Sequence, residues 1–438
     1  MIDQSVLRGA FAVRMSYFRL TLPTLFLALP LGAAGGGDAV NADVLRERVE
    51  RLLPSAMETH DIDLWIVFTR EEAADPLAAD FGGADAVARM ALLFDRSKEG
   101  LRKTAIAASY DVVPLEETDI YDEVLSYRRE GIKPHLKKFV AALDPQRIAV
   151  NVSRDMPIAD GLTAGMRNYL EEVLGEGIAA RFVSSEPLVA SFRGRRLPSE
   201  VKILREAAGH THRFIEGALS PAVITPGVTS ERDVGAYLRS RTAEVGATVP
   251  FISVVTGPSR GHADPSDRVI QRGDLVRIDF GITLNGYSTD LQRTAYVLRA
   301  GESAAPPQIL KMWETARKAA DLQIAAMKPG ASGTEIDAIA RRTLEQAGFE
   351  GPPHGTGHAI GFAVHDVGPL LGPDWPERYG TTVFLKMEEG QTFAVEPILY
   401  APYEGMGEIH IGLEEDVVIT SGGAEMLHQR HSSLILIQ

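Results

Sequence analysis

The stretch IDFGITLNGYSTD, residues 278–290, constrains the fold most, because it has the pattern of a β-hairpin set among apolar residues. Asn285-Gly286 separates two alternating runs, which is the strongest short-range signal for a two-residue hairpin loop. Both loop positions of a type I′ turn need positive φ angles, which asparagine and glycine tolerate best. The sequence therefore predicts a type I′ hairpin at Asn285 and Gly286.

The register of this hairpin brings two acids together. Asp279 lies opposite Gln292 and Asp290 opposite Gly281, so both acids share one face about 7–8 Å apart at the backbone. Two ionised carboxylates that converge among apolar side chains repel each other and lose their hydration. The hairpin alone leaves three interpretations open: one acid is protonated, a cation lies between them, or both face solvent.

The C-terminal half contains a weak internal repeat that supplies a third acid. Each copy has two helical patterns separated by a Pro-Gly break, at 226–227 and at 329–330. Downstream, the segments RGDLVRIDFGI and EGQTFAVEPIL align at a constant offset of 117, and Asp279 falls on Glu396. Two units that each deliver a carboxylate from an equivalent strand predict a site at a pseudo-twofold interface. Chance similarity of two helix pairs is the alternative.

A fourth acid and three histidines complete the candidate ligands. Glu414 enters an apolar strand-like run, and PPHGTGHAIGFAVHD contains His354, His358 and His365. The prolines and glycines around His354 and His358 argue against a helix, and the glutamate of an H-E-x-x-H zinc site is missing. Oxygen-rich ligation with imidazole suits Mn²⁺, Fe²⁺ or Co²⁺ better than structural zinc. Four carboxylate charges neutralise two divalent ions.

The N-terminal half shows the alternation of an α/β domain. The strand-like runs LWIVF, RKTAIAAS and RIAVNVS alternate with helical patterns such as the one near Ala164. Strands separated by helices predict a partly parallel sheet. The connector FRGRRLPSE places a domain boundary near 189–197, and Ser199 is predicted to cap the helix that follows it.

Composition and the N-terminus bear on partners and location. A length of 438 residues favours two domains, and a net charge of −14 opposes binding to nucleic-acid phosphates. The absence of cysteine excludes thiol nucleophiles, disulfides and cysteine-ligated zinc. Residues 15–39 carry a basic residue, an apolar run and small residues, which predicts an export signal cleaved after Ala34. A cytosolic protein with an apolar arm is the alternative. No later run reaches membrane-spanning length, so no stable span is expected after processing.

Together these motifs resemble the pita-bread metallopeptidases, the family of methionine aminopeptidase, Xaa-Pro aminopeptidase and prolidase. The resemblance covers residues 197–420, with the Asp pair, a GHxIG histidine, an F-x-x-E-P glutamate and a late strand glutamate. It implies a mixed α/β (α+β) chain. A signal and extension would occupy 1–40, a creatinase/prolidase-like domain 41–190, and the pita-bread catalytic domain 191–438.

The resemblance also implies which residues act. Two divalent ions, Mn²⁺ before Co²⁺, Fe²⁺ or Zn²⁺, would be bound by five ligands, of which Asp290 and Glu414 would bridge the ions: Asp279, Asp290, His358, Glu396 and Glu414. His262, His354 and His365 would surround the substrate, and Glu396 would also carry the proton. His210 and His212 are expected to be solvated. No role is expected for His60, His135, His410, His428 and His431.

The implied reaction is hydrolysis at the N-terminal end of a peptide, by an Xaa-Pro aminopeptidase or dipeptidase, through a hydroxide shared by the two ions. A peptide with proline in the second position and a homodimer are further expectations. Three departures from the family pattern concern substrate preference: Gly412 where relatives commonly carry arginine, Ala359 in place of glycine, and Gly261 in place of proline. Metal-free creatinase-like amidine hydrolysis and partner binding without catalysis are the alternatives, and the intact ligand set counts against both.

Overall fold

The computed structural model describes residues 40–97 and 100–438. The export signal predicted at 15–39, with its cleavage position after Ala34, lies outside these residues. Within the described part of the chain, no helix is both long enough and apolar enough to cross a bilayer.

The N-terminal half forms a six-stranded sheet. Its strands are β1 (Leu64–Thr69), β2 (Met90–Ser97), β3 (Gly100–Ala108), β4 (Glu123–Tyr127), β5 (Ile148–Val150) and β6 (Phe182–Ser184). Their order across the sheet is β4-β3-β2-β1-β5-β6. β2 pairs antiparallel with β1 and β3, whereas β1–β5, β5–β6 and β3–β4 are parallel pairs. The prediction of a partly parallel sheet is confirmed.

Helices cover both faces of this sheet, which explains why all six residues of β1 are buried. Trp65 and Val67 pack into one apolar cluster, while Leu64, Ile66 and Phe68 pack into another on the opposite face. The helices of this half are α1 (Ala42–Arg51), α2 (Leu53–Thr59), α3 (Val112–Glu116), α4 (Lys133–Leu143), α5 (Ala164–Leu174), α6 (Glu176–Ala179) and α7 (Glu186–Arg193). Two short 3-10 helices occupy Pro76–Phe81 and Pro157–Ala159.

The C-terminal half is built mainly on two four-stranded sheets. Its strands are β7 (Ile252–Thr256), β8 (Leu275–Phe280), β9 (Thr283–Leu284), β10 (Tyr287–Ser288), β11 (Leu291–Val297), β12 (Gly357–Ala359), β13 (Thr392–Val395), β14 (Leu399–Tyr403), β15 (Gly407–Ile411), β16 (Glu415–Thr420), β17 (Gly423–Met426) and β18 (Ile435–Ile437). One sheet has the order β18-β11-β8-β7 and the other β12-β13-β16-β17. The antiparallel strands β7, β8 and β11 match β12, β13 and β16, and β8 and β13 begin at aligned positions. The pseudo-twofold repeat is confirmed.

Each copy also contributes a helix pair. The helices are α8 (Pro198–Ala218), α9 (Glu231–Glu244), α10 (Pro307–Ala326), α11 (Gly333–Gln346) and the short α12 (Pro376–Tyr379), with a 3-10 helix at Thr382–Phe384. Ser230 and Ser332 cap the second helix of each pair, and an acid at the third helical position returns a bond to the cap. Gly227 and Gly330 have positive φ angles at the two Pro-Gly breaks.

The hairpin has the predicted turn and register. Asn285 has a φ angle of 51° and Gly286 of 82°, both in the left-handed region that a type I′ turn requires. Tyr287 pairs with Leu284, and Gln292 pairs with Asp279. The sequence prediction is confirmed on both points.

The start of α8 differs from the prediction. The N-cap is Leu197 and Pro198 is the first helical residue, so Ser199 lies inside the helix and the predicted serine cap is wrong. Proline fits the first helical position because its φ angle is already helical and it lacks an N–H that would need a partner. The Glu200 carboxylate, at the third helical position, accepts the N–H of the cap residue Leu197 at 2.6 Å.

The domain boundary at residues 190 and 191 stays a prediction. The six-stranded sheet ends before it and the other sheets begin after it. However, one apolar cluster joins Leu188 and Phe192 to Leu197 and Val367, so the core continues across the connector.

Candidate metal centre

Strand ends place the four predicted acids. Asp279 lies within β8 and Asp290 immediately before β11, while Glu396 follows β13 and Glu414 precedes β16. Because β8 matches β13 and β11 matches β16, each copy of the repeat delivers two carboxylates. The duplication therefore accounts for the convergence of acids that are far apart in the sequence.

Three of these acids meet directly. Carboxylate oxygens of Asp279, Asp290 and Glu414 lie within 4.8 Å of one another, and all three residues are buried. A second group within the same distance consists of Asp290, His358 and His365. Asp290 belongs to both groups, whereas Glu414 belongs to the first alone, and the bridging of two ions by these residues stays a prediction.

Glu396 joins the cluster through His358. The Nε2 atom of His358 lies 3.3 Å from Oδ2 of Asp290 and 3.7 Å from Oε1 of Glu396. On the other side of the ring, Nδ1 donates to the Ala359 carbonyl at 3.2 Å, which leaves Nε2 as the free acceptor. Burial lowers the pKa of His358 to about 4 and keeps the imidazole neutral, the form that binds metals. All five predicted ligands are thus adjacent.

The electrostatics of the acids favour a cation. Burial, followed by repulsion from neighbouring carboxylates, raises the pKa of Asp290, of Glu396 and of Glu414 well above the usual range. Oδ1 of Asp290 and Oε2 of Glu414 are buried and have no hydrogen-bond partner among the described residues. Buried carboxylate oxygens without donors are costly unless a cation or a proton neutralises them. The donor set therefore fits divalent metal ions.

The predicted substrate-facing histidines line one cavity with these ligands. A cavity of about 920 Å³ is bordered by His262, His354 and His365 together with His358 and Glu396. His365 packs edge-on against His358 at 4.1 Å between ring centroids. The repulsion that two protonated rings would have at this distance, together with burial, lowers the pKa of His365 to about 4. His365 was expected beside the substrate, and the structure also places it within a candidate ligand group.

His262 is held differently from the other histidines. Its Nδ1 lies 3.1 Å from Oδ2 of Asp279, and this hydrogen bond raises the pKa of His262. The side chain is 79% exposed toward the cavity. It is therefore the histidine in this cavity whose charged form is favoured.

Two further histidines contradict the sequence analysis. His210 is half-buried and His212 is buried, so the prediction that both are solvated is wrong. His212 stacks on His428 at 5.4 Å and lies 3.4 Å from Glu216. α8 is covered on more than one side, so residues that point to different sides of this helix can both be buried.

Sequence reasoning missed a layer of residues that hold the ligands. Gln292 donates to Oε1 of Glu414 at 2.9 Å, and Asp416 accepts the backbone N–H of Asp290 at 3.2 Å. His428, to which no role was given, accepts the N–H of Asp416 at 3.2 Å. The hairpin register already placed Gln292 opposite Asp279, but its bond to Glu414 depends on the second sheet.

Comparison with known proteins agrees with this geometry. The model of metallopeptidase family M24 matches residues 202–421. The probable dipeptidase PepE of Mycobacterium tuberculosis is 30% identical over 67% of this chain and 74% of its own length. The Xaa-Pro dipeptidase of Pyrococcus horikoshii is 26% identical over 75% of this chain and 89% of its own. The solved Xaa-Pro dipeptidase from Bacillus anthracis has a TM-score of 0.64 and 25% identity, covering 90% of this chain and all of that one.

These likenesses extend over the N-terminal sheet as well as the duplicated half, and the architecture is that of a pita-bread enzyme with a prolidase-type N-terminal α/β region. The protein is a hydrolase of the metallopeptidase class, with a mixed carboxylate and histidine centre. The chain belongs to metallopeptidase family M24.

Proposed function

We propose that this protein is a dinuclear metallo-exopeptidase that hydrolyses Xaa-Pro bonds, with dipeptides as its main substrates. The observation that carries the proposal is the convergence of four acids and His358 on a cavity lined by three more histidines. Relatives named Xaa-Pro dipeptidase support the substrate class.

Two Mn²⁺ ions are the proposed cofactors. Asp279, Asp290, His358, Glu396 and Glu414 would hold them, because oxygen-rich sites with one imidazole suit Mn²⁺. Such ions, when bound, polarise a carbonyl and lower the pKa of water. Co²⁺, Fe²⁺ and Zn²⁺ are the alternative ions, and metal analysis of the protein as purified shows which ion it contains.

The residues of the chain would position the peptide and move the proton. Glu396, on the cavity wall, would take a proton from water and pass it to the leaving nitrogen. His262 and His365 would donate hydrogen bonds to the oxygen that gains charge. Proline's nitrogen has no hydrogen, so a site that does not depend on that amide N–H accepts an Xaa-Pro bond.

Cations in the cavity wall support a short substrate with a free carboxylate. Arg154 is exposed, lines the cavity and makes no ion pair with the described residues. Arg378, which lines the same cavity, lies over the rings of Trp375 and Tyr379. A guanidinium that is not neutralised by the chain is available to a substrate carboxylate.

An aminopeptidase acting on longer peptides is the second candidate. The cavity volume lies at the upper end of the roughly 300–1,000 Å³ typical of small-ligand sites, which leaves room beyond a dipeptide. Metal-free amidine hydrolysis and partner binding without catalysis are less well supported, because both leave the buried acids without a counter-charge.

The deciding experiment compares Ala-Pro, Ala-Pro-amide and Ala-Pro-Ala as substrates with added Mn²⁺. Cleavage of Ala-Pro alone supports the dipeptidase, and cleavage of Ala-Pro-Ala supports the aminopeptidase. We expect Arg154→Met to raise KM for Ala-Pro more than for Ala-Pro-amide, whereas Arg167→Met, at an exposed helix position, changes neither. If Mn²⁺ binds and none of the three peptides is cleaved, the proline assignment is wrong.

Export and dimerisation are two further proposals. The pattern of residues 15–39 supports an exported protein, and N-terminal sequencing of material from the native cell tests it, with a start at residue 35 expected. A homodimer is proposed from the resemblance. Light scattering at several concentrations tests it, and a monomer at all of them would reject it.

A further inference from the structure

Arg277 is a buried cation beside the metal centre to which the proposed mechanism gives no part. It lies in β8 two residues before Asp279, so both side chains emerge on the same face of the strand. Only 5% of Arg277 is exposed, and it forms no ion pair with a carboxylate of the described residues. A buried guanidinium in this position must be satisfied by neutral acceptors.

Those acceptors are a backbone carbonyl and a histidine ring. Nη2 of Arg277 donates to the Gly261 carbonyl at 2.5 Å, and Nη1 donates to Nδ1 of His410 at 2.8 Å. A guanidinium only donates, so Nδ1 of His410 is the unprotonated nitrogen of a neutral ring. The Ser259 hydroxyl lies 2.6 Å from the same nitrogen. Arg277 is therefore connected to the loop of residues 257–262 at two points.

This loop carries His262, and its other contacts lie on either side of Gly261 and His262. The Ser259 N–H donates to the Glu408 carbonyl, Arg260 pairs with Glu231, and the Ala263 carbonyl accepts the Ser253 hydroxyl. Gly261 has a φ angle of 60°, in the left-handed region, and nothing lies where its side chain would be. His262 is largely exposed and is held through its contact with Asp279. The bond from Arg277 to the carbonyl of Gly261 thus fixes the peptide that leads into His262.

Position 412, two residues before Glu414, has no space for a side chain. A side-chain carbon at Gly412 would overlap the amide oxygen of Gln292, whose nitrogen donates to Glu414. Position 412 therefore has no room for an arginine while Gln292 holds Glu414. The charge of Arg277 interacts favourably with the carboxylates of Asp279, in the same strand, and of Glu414.

We propose that Arg277 is a positioning residue that anchors Gly261 and thereby holds His262 against Asp279. The kinetic part of the test rests on the proposed peptidase function, whereas the structural part does not.

The structural part measures amide hydrogen exchange in the metal-free protein. Arg277→Met keeps the length of the side chain and removes its donors. We expect exchange in peptides covering residues 257–264 to accelerate about tenfold to a hundredfold, because a hydrogen bond from a charged donor is lost. Arg272→Met is the matched control, since Arg272 also donates to a backbone carbonyl, that of Leu298, away from this loop. Equal exchange in wild type and Arg277→Met would overturn the proposal.

The kinetic part is a double-mutant cycle with Ala-Pro and Mn²⁺. If Arg277 acts through His262, Arg277→Met lowers kcat, and adding it to His262→Ala lowers kcat by no more than about threefold further. Independent, multiplying losses would contradict the positioning role. Arg277→Lys, which keeps the charge and one donor, replaces Arg277→Met if that variant does not fold, and an intermediate kcat is expected. If wild type cleaves no peptide, the proposed function fails, and hydrogen exchange still decides the role of Arg277.

Discussion

Asp290 belongs to both ligand groups. Because it is buried, the negative charge of its carboxylate is costly unless a cation or a proton neutralises it. Its carboxylate lies among Asp279, Glu414 and His358, and one oxygen has no donor among the described residues. A site arranged in this way is unfavourable to the protein without metal and favourable with it. Function at this position is therefore expected to oppose the stability of the metal-free fold.

Asp290→Asn is expected to stabilise the metal-free protein at neutral pH. The pKa of Asp290 is raised in the folded state, so its carboxyl favours folding at low pH and loses that contribution as the pH rises through the raised pKa. The difference in Tm between variant and wild type should grow from pH 5 to pH 8. Histidines titrate in both proteins, so their contribution cancels in the difference in Tm. Scanning calorimetry in EDTA measures the difference, and a gap that does not change with pH would contradict the charge assignment.

At the residue scale, the sequence shows the ligands better than their supports. The acids stand out because carboxylates are unexpected in apolar strands. His358 stands out because it lies in a segment with two further histidines. Gln292, His410 and Arg277 are ordinary residues whose partners lie in other strands. Their contacts depend on how the sheets meet, which no local pattern contains.

At the scale of elements, the hairpin and the helix pairs were predictable because local chemistry decides them. Asn285-Gly286 fixes the turn, and the turn fixes which residues pair. The predicted cap at Ser199 failed because two local signals compete there, and Pro198 with Glu200 forms a better start. The local sequence does not show whether other elements pack against a helix on one side or on several. For this reason the burial of His212 was not predicted.

Gly281→Ala tests the hairpin as the element that sets the distance between its acids. A side-chain carbon at Gly281 would clash with the Thr289 carbonyl and with the ring of Phe251. We expect this clash to separate the strand ends and to weaken Mn²⁺ affinity at least about tenfold, a cost near 1.4 kcal/mol. Gly83→Ala is the control, because its side-chain carbon would meet Leu92 and Met90 in the N-terminal half and none of the candidate ligands. Calorimetric titration measures both variants, and equal affinities would show that the hairpin spacing does not matter.

At the scale of the molecule, a buried ion pair links helix α1 of the N-terminal half to helix α8 and to the hairpin of the C-terminal half. Arg48 in α1 contacts Glu200 in α8 at 2.7 Å, with both side chains almost fully buried. Glu200 also accepts the hydroxyl of Tyr287 at 2.8 Å, next to the turn of the hairpin. The contact between Arg48 and Glu200 could not be predicted from the sequence, because 152 positions separate the two residues.

Arg48→Met is expected to lower the free energy of unfolding by about 3–5 kcal/mol, because it leaves Glu200 buried without its counter-ion. Adding Glu200→Gln should restore part of that loss. Arg102→Met removes the exposed pair with Glu123 and should cost less than about 1 kcal/mol. Urea denaturation of wild type and the three variants measures the series. Similar losses for Arg48→Met and Arg102→Met would mean that the buried pair is not a structural link.

The central claim is that acids from both copies of the repeat remain charged in a buried cluster because two divalent ions compensate them. Titration of the metal-free protein with Mn²⁺, followed by calorimetry and by Ala-Pro hydrolysis, tests it most directly. We expect about two ions per chain and activity that appears only as they bind. Asp290→Ala should retain neither ions nor activity, while Asp95→Ala, at a buried acid of the N-terminal sheet, should retain both. Full activity without metal, or two ions bound by Asp290→Ala, would contradict the account.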